Sequence, residues 1–118
     1  ATCVTGQGYI VLKPEAKVAV VTEAKTSLSL EQVVAYAETG RYVFRLPSLY
    51  LEYSGTFGSP DVVKEVRLAL PDTHLFYGGG IDGAETARLM ASYVDTIVVG
   101  NVIYENLDGA LATVAALR

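Results

Sequence analysis

Tyr50-Leu51-Glu52-Tyr53-Ser54-Gly55 reads as the carboxyl end of an apolar strand that turns polar and then breaks on glycine. A carboxylate, two phenols and a hydroxyl gathered at one strand end is what an α/β enzyme presents to its substrate, because parallel-sheet folds bind ligands just beyond the carboxyl ends of their strands. Two more strand ends of this kind follow, Tyr77-Gly78-Gly79-Gly80-Ile81 and Val98-Val99-Gly100-Asn101. Together the three describe a phosphate-handling site.

Working outward, β-rich apolar runs predict strands over residues 9–12, 49–53, 75–77 and 96–99. Helix starts fall between them. Ser29 precedes Leu30-Glu31-Gln32, a capping box in which Gln32 reaches back to the Ser29 amide. Ser59-Pro60-Asp61 supplies an N-cap, a proline at the first helical position and a favourable negative charge. Asp82 with Glu85 repeats the capping-box spacing and predicts a helix running to about Tyr93. A fourth helix is predicted from Asn106 or Leu107, with Leu107, Leu111, Val114 and Leu117 at helical spacing. Residues 16–27 have no such signal; the Lys17-Val18-Ala19-Val20-Val21-Thr22 run is expected to be an extra strand or an ordered loop over the site.

Strand and helix thus alternate four times, which implies a parallel sheet with right-handed crossovers. Four βα units make an open sheet or half of an eight-stranded barrel, since a complete (βα)8 TIM barrel needs about 250 residues. Glycines at successive strand ends favour the half-barrel, because an open sheet gathers its phosphate glycines in the turn after its first strand. Neither Gly-x-Gly-x-x-Gly nor a Gly-Lys-Ser/Thr pair occurs there, which weakens the dinucleotide and P-loop readings.

The chain has 118 residues, 51% of them hydrophobic, with nine basic and thirteen acidic side chains and a net charge of −4. That balance argues against nucleic acid as a partner. It also means that a bound phosphate has to be held by backbone amides and helix starts. Cys3 is the only cysteine, which excludes an intramolecular disulfide and a thiolate metal site and fits a reducing, cytoplasmic setting. No apolar run approaches the length of a membrane span. The chain opens on Ala1-Thr2-Cys3 without methionine and reaches its first strand within ten residues, which points to an entry partway through a larger domain.

Strand alternation sends Leu49, Leu51 and Tyr53 to one face and Tyr50, Glu52 and Ser54 to the other. The Leu-rich face is expected to meet the outer helices, leaving Glu52 pointing into the barrel near its active rim. A structural Glu52, paired with a lysine or solvated at the mouth, is the alternative; a buried carboxylate without partner or task is costly, which favours function. Three glycines before the Asp82 cap suit close approach of backbone to a ligand. Gly100-Asn101 ends the fourth strand just before another helical turn, and phosphate between the last two strand ends is a recurrent barrel arrangement. His74, at the amino end of its strand, reads as a surface residue. Met90 and the leucines of its helix read as core, and Tyr36 and Tyr93 as helix anchors. No His/Cys/Asp/Glu set has metal-ligand spacing.

With these segments in place, the chain resembles the PcrB family, the heptaprenylglyceryl phosphate synthases of bacteria, whose archaeal relatives are geranylgeranylglyceryl phosphate synthases. The segments that carry the resemblance are Gly8-Tyr9-Ile10-Val11-Leu12, Val34-Ala35-Tyr36-Ala37, residues 50–55, residues 75–81 and residues 97–104. It implies that residues 1–118 are the carboxyl-terminal half of a single barrel domain, about the last four βα units. It further implies an enzyme joining a polyprenyl (heptaprenyl) diphosphate to the 3-hydroxyl of sn-glycerol 1-phosphate, giving an ether lipid precursor in phospholipid biosynthesis. Glu52 would be the catalytic residue. Tyr50, Leu51, Glu52, Tyr53, Ser54, Gly55, Gly80, Gly100 and Asn101 would bind glycerol 1-phosphate. Mg²⁺ would bind the diphosphate through ligands in the absent amino-terminal half, and the enzyme would be a cytoplasmic homodimer. Family members usually carry Asn-Pro where this chain has Lys13-Pro14; Lys13 either adds positive charge near the site or is simply exposed.

Three alternatives stay open. The chain could belong to a geranylgeranylglyceryl phosphate synthase, or to another barrel that isomerises or cyclises sugar phosphates. It could also be a non-catalytic phosphate-binding half-barrel that needs its missing half, since two open sheet edges and an uncovered inner face would drive pairing.

Overall fold

The alternation in residues 48–52 is realised as β2 (Ser48–Glu52), the second of four parallel strands in the computed structural model, which describes residues 2–118. With β1 (Gln7–Val11), β3 (His74–Gly78) and β4 (Thr96–Val98) it forms one sheet in chain order, β1-β2-β3-β4. The register sets Tyr9 beside Tyr50 and Tyr50 beside Phe76, then Val11 beside Glu52 and Glu52 beside Gly78. Because all three pairings are parallel, the four carboxyl ends lie along one rim.

One face of this sheet is a core. Leu49 and Leu51, 1% and 0% exposed, pack with Leu75 and Tyr77 beneath Val33 and Ala37 of α2 (Leu30–Glu38), Val63 and Val66 of α3 (Pro60–Ala69), and Ala87 and Met90 of α4 (Ala84–Ala91). Each such leucine contributes about 2 kcal/mol of transfer free energy. The other face carries an aromatic row. Tyr9 stacks on Tyr50 with ring centres 4.6 Å apart, and Tyr50 lies parallel to Phe76 at 6.2 Å. Tyr9 remains 47% exposed and Tyr50 and Phe76 are half-buried, so this row is only partly covered among the described residues.

The helices start where their caps predict. Ser29 and Gln32 form the reciprocal capping box, and Ser59 caps α3 ahead of Pro60. α2 continues into a π-helical turn, Thr39–Val43, before β2. The start of α4 differs from expectation. Thr86, not Glu85, closes it: its hydroxyl accepts from the Asp82 and Gly83 amides and lies 2.9 Å from Asp82 Oδ1. A hydroxyl one position further on reaches these amides without swinging a long side chain around the helix end.

Residues 17–22 correct the expectation of a strand or loop: they form a short helix, α1 (Lys17–Thr22). Ala16 and Ala19, three apart, bury against Val11, while Val20 and Val21 face solvent. Small side chains at helical spacing allow that close seat, and β-branched residues disfavour a helix by only a few tenths of a kcal/mol each, about 0.7 at most. α5 (Val102–Glu105) and α6 (Leu107–Ala116) end the chain's elements, with Asn106 capping α6 through its bond to the Gly109 amide. On α6 it is Ala110 and Thr113 that are buried; Leu107, Leu111, Val114 and Leu117 are exposed. Leu89 of α4 is also exposed, against the expectation that it joins Met90 in the core.

At the amino end of the sheet, Arg67 holds the connections together. Its guanidinium donates to the carbonyls of Tyr93 (2.8 Å), Leu70 (3.2 Å) and Thr73 (3.0 Å) and pairs with Asp95. Asp95 also accepts the Leu75 amide at 2.8 Å, and that bond, then Arg67, hold its carboxyl below the ordinary range. His74 sits at this end, exposed and 2.8 Å from Thr96 Oγ1, as expected of a surface residue.

Candidate active site

Glu52 is the last residue of β2 and stands on the aromatic face at the carboxyl rim. Its carboxylate is held from two sides. The Tyr9 phenol donates to Oε2 at 2.8 Å, and the Ser54 amide donates to Oε1. The second bond comes from a sharp turn in which Ser54 and Gly55 both have positive φ, 44° and 78°. Burial, together with the bond to Glu52 and its charge, pushes the Tyr9 phenol well above its ordinary value; burial and the Glu52 charge push Tyr50 up to about 12. Both phenols therefore stay protonated near neutrality and can donate.

Neighbouring strand ends are shaped around this group. A Cβ on Gly78 would lie 2.1 Å from the Tyr50 hydroxyl, so the first glycine of the triplet makes room for the Tyr50 ring. Gly80, at φ 58°, lets its strand end press on the next loop: a Cβ there would fall 2.3 Å from the Phe57 nitrogen. Behind that contact, the buried Tyr77 hydroxyl accepts from the Gly58 amide and donates to the Gly79 carbonyl, both at 2.8 Å. Burial raises Tyr77 to about 12. Gly100 differs, because a Cβ added there would meet nothing within 4 Å. Asn101 reaches back across the rim, its side-chain nitrogen 2.9 Å from where a Cβ on Gly55 would sit.

These ends enclose a cleft of about 840 Å³, the size of a small-ligand site. Tyr50, Glu52, Ser54, Gly55, Gly80, Gly100 and Asn101 all line it. Leu51 and Tyr53, also expected at the site, do not; Leu51 is buried under the helices, and Tyr53 packs beside Tyr77 with ring centres 5.8 Å apart. Ala16 and the first residues of α1, Lys17 and Val18, line the cleft, as the loop alternative for residues 17–22 would place them, although the conformation is helical. Four carboxylates (Glu15, Glu52, Asp82 and Glu105) face the cleft with Lys17 as the lone cation of its lining, which leaves an anion dependent on backbone amides and nearby charge.

The family model for the PcrB family matches residues 2–118. The chain belongs to the PcrB family. Heptaprenylglyceryl phosphate synthase from Exiguobacterium sibiricum is 58% identical over 113 residues, which cover 96% of this chain and 49% of that protein. The protein of the same name from Listeria welshimeri is 54% identical over 110 residues, covering 93% of this chain and 49% of its own length. The chain thus spans about half the length of the curated relatives it matches. A solved chain of wild-type GGGPS from Thermoplasma volcanium superposes with a TM-score of 0.77 at 23% identity, covering 96% of this chain and 47% of that one. That likeness speaks for the fold: α/β, four βα units that match about half of a TIM-barrel chain.

Two residues beside this PcrB chain's cleft fall outside the set that the sequence singles out. Tyr9 is only a strand residue by local pattern, yet parallel pairing brings it beside Tyr50 and within reach of Glu52. Tyr77 lies on the helix-facing side with Leu75, where a tyrosine hydroxyl must find partners, and it finds them in the two loops that build the rim. Among the described residues, no group of three or more His, Cys, Asp or Glu is placed to hold a metal ion.

Proposed function

We propose that this chain provides the acceptor site of a prenyltransferase, the carboxyl-terminal half of a barrel that joins heptaprenyl diphosphate to sn-glycerol 1-phosphate. The observation that carries the reading is Glu52. A carboxylate held by Tyr9 and the Ser54 amide faces a cleft that Gly100 and Asn101 complete from the opposite strand end. The relatives named heptaprenylglyceryl phosphate synthase supply the substrate class.

In this reading the phosphate rests among the loops at Gly80, Gly100 and Asn101, where backbone can approach it closely. The 3-hydroxyl of the glycerol then lies toward Glu52. As that oxygen bonds to the allylic carbon, the carbon–oxygen bond to diphosphate breaks, and the hydroxyl proton passes to the Glu52 carboxylate. Tyr9 keeps the receiving carboxylate aimed, and Tyr50, protonated and stacked between Tyr9 and Phe76, walls the cleft beside it. Magnesium is expected with the diphosphate, but among the described residues no group of three or more His, Cys, Asp or Glu is placed to hold it.

The reading carries with it a cytoplasmic homodimer acting in lipid metabolism. A single cysteine is compatible with that setting, and no helix among the described residues is long and apolar enough to cross a membrane. A second reading, a phosphate-binding half-barrel without turnover of its own, is supported by the unpaired edges of β1 and β4 and by the open aromatic face. Glu52→Gln in the full-length enzyme distinguishes a base from a binding group. Turnover should vanish while glycerol 1-phosphate affinity stays within about threefold; joint loss of both would remove Glu52 from the base role.

A further inference from the structure

The turn that presents Ser54 and Gly55 to the cleft holds a serine at φ 44°, where a Cβ is disfavoured, ahead of a glycine at φ 78° that takes the same region freely. Something must hold it. Glu52 grips one side by accepting the Ser54 amide. Lys13 grips the other: its Nζ donates to the Thr56 hydroxyl at 2.7 Å and to the Ser54 carbonyl at 3.3 Å, across more than forty residues of chain. The two peptide groups flanking one residue are thus clamped between an anion and a cation.

Lys13 has no other evident employment. It is half-buried just beyond β1, and among the described residues the one ion pair is Arg67–Asp95, so no carboxylate within 4 Å neutralises it. It stays outside the lining of the cleft, whose carboxylates would repel an anion. An unneutralised ammonium directly behind the turn offsets part of that repulsion while fixing the turn's shape.

We propose that Lys13 is a positioning residue of the acceptor site, pinning the 54–56 turn against Glu52 so that the turn is preorganised for the phosphate-bearing substrate. The inference rests on the acceptor-site reading above. It also has a component independent of that reading, the pin itself. Lys13→Met removes both charge and donor, Lys13→Arg keeps both, and Thr56→Val removes the better acceptor while leaving the charge in place.

The test couples amide hydrogen exchange at residues 54–57 with calorimetric titration by sn-glycerol 1-phosphate, on the 118-residue chain and the three variants. Lys13→Met should speed exchange in the turn by about tenfold and weaken the titration by about threefold to tenfold. Thr56→Val should show the same changes at smaller size, and Lys13→Arg should restore both. Unchanged exchange in Lys13→Met and Thr56→Val would overturn the pin. Faster exchange with unchanged affinity would overturn the positioning role and leave Lys13 a purely structural residue. If the unaltered chain binds no glycerol 1-phosphate, the acceptor-site reading fails and takes the ligand part of this inference with it, while the exchange arm still decides the pin. Should Lys13→Met fail to fold, Thr56→Val and Lys13→Arg carry the same comparison.

Discussion

Alanine at Gly80 and alanine at Gly100 should do opposite things, although both glycines end strands at the same rim. At Gly80 two penalties combine. The residue sits at φ 58°, where a Cβ costs about 1–2 kcal/mol. That Cβ would also lie 2.3 Å from the Phe57 nitrogen and 2.6 Å from its Cα, backbone that cannot swing aside. Relieving such an overlap costs about 1–3 kcal/mol. Gly80→Ala should therefore lose about 2–5 kcal/mol, a large share of the ~5–15 kcal/mol typical of a domain. Gly100 lacks both penalties, since nothing lies within 4 Å of its added Cβ and its φ is outside the left-handed region. Gly100→Ala should leave stability unchanged or raise it by about 0.4–1 kcal/mol through the unfolded chain. Urea denaturation followed by circular dichroism reads both. With m near ~1.5 kcal/mol/M, a 3 kcal/mol loss moves the midpoint by about 2 M. Binding should register the second substitution where stability does not. Gly100→Ala puts a methyl into the cleft and should weaken glycerol 1-phosphate binding in a well-folded chain. Equal midpoints for the two variants, or a larger loss at Gly100, would refute the division between a packing glycine and a ligand-facing one.

Other outcomes follow from the same geometry. Tyr77→Phe leaves the buried Gly58 amide and Gly79 carbonyl without their shared partner, so it should lose about 1–3 kcal/mol in the same denaturation assay. Asp95 has a lowered pKa through the Leu75 amide and Arg67, so its contribution is present above the ordinary carboxylate value and is lost as pH falls through that value toward the folded one. Asp95→Asn should therefore flatten the loss of stability between about pH 5 and pH 3, a modest effect because the side chain is 43% exposed. Tyr9→Phe removes one of the two donors to Glu52 and keeps the stacking on Tyr50. It should lower turnover of the full-length enzyme by about tenfold while leaving the melting temperature nearly unchanged.

Much of the fold could be read locally. Residues 49–53 alternate so cleanly that the buried and cleft-facing sides of β2 follow from spacing alone, and Ser29 and Ser59 announce their helices within four residues. Local signals failed where tertiary contact outweighed them. Residues 17–22 look like strand, yet two alanines seated on Val11 hold them as a helix. The α6 stripe of Leu107, Leu111 and Val114 looks like a core face, yet α6 buries Ala110 and Thr113 instead. The rim divides the same way. Glu52, Gly100 and Asn101 stand out as polar or glycine breaks on apolar strands. Tyr9 and Lys13 gain their places only from the β1–β2 register and from contacts across 43 residues, which no local pattern encodes.

The most direct measurement is calorimetric titration of this chain with sn-glycerol 1-phosphate against sn-glycerol 3-phosphate. Both carry the same phosphate, so only a site that grips phosphate and hydroxyls together can tell them apart. Saturable binding of the 1-phosphate, at least about tenfold tighter than its mirror-related isomer, is the expected result. Equal affinity for the two would contradict an acceptor site built on Glu52, and binding of neither would contradict the claim that these four strand ends assemble that site.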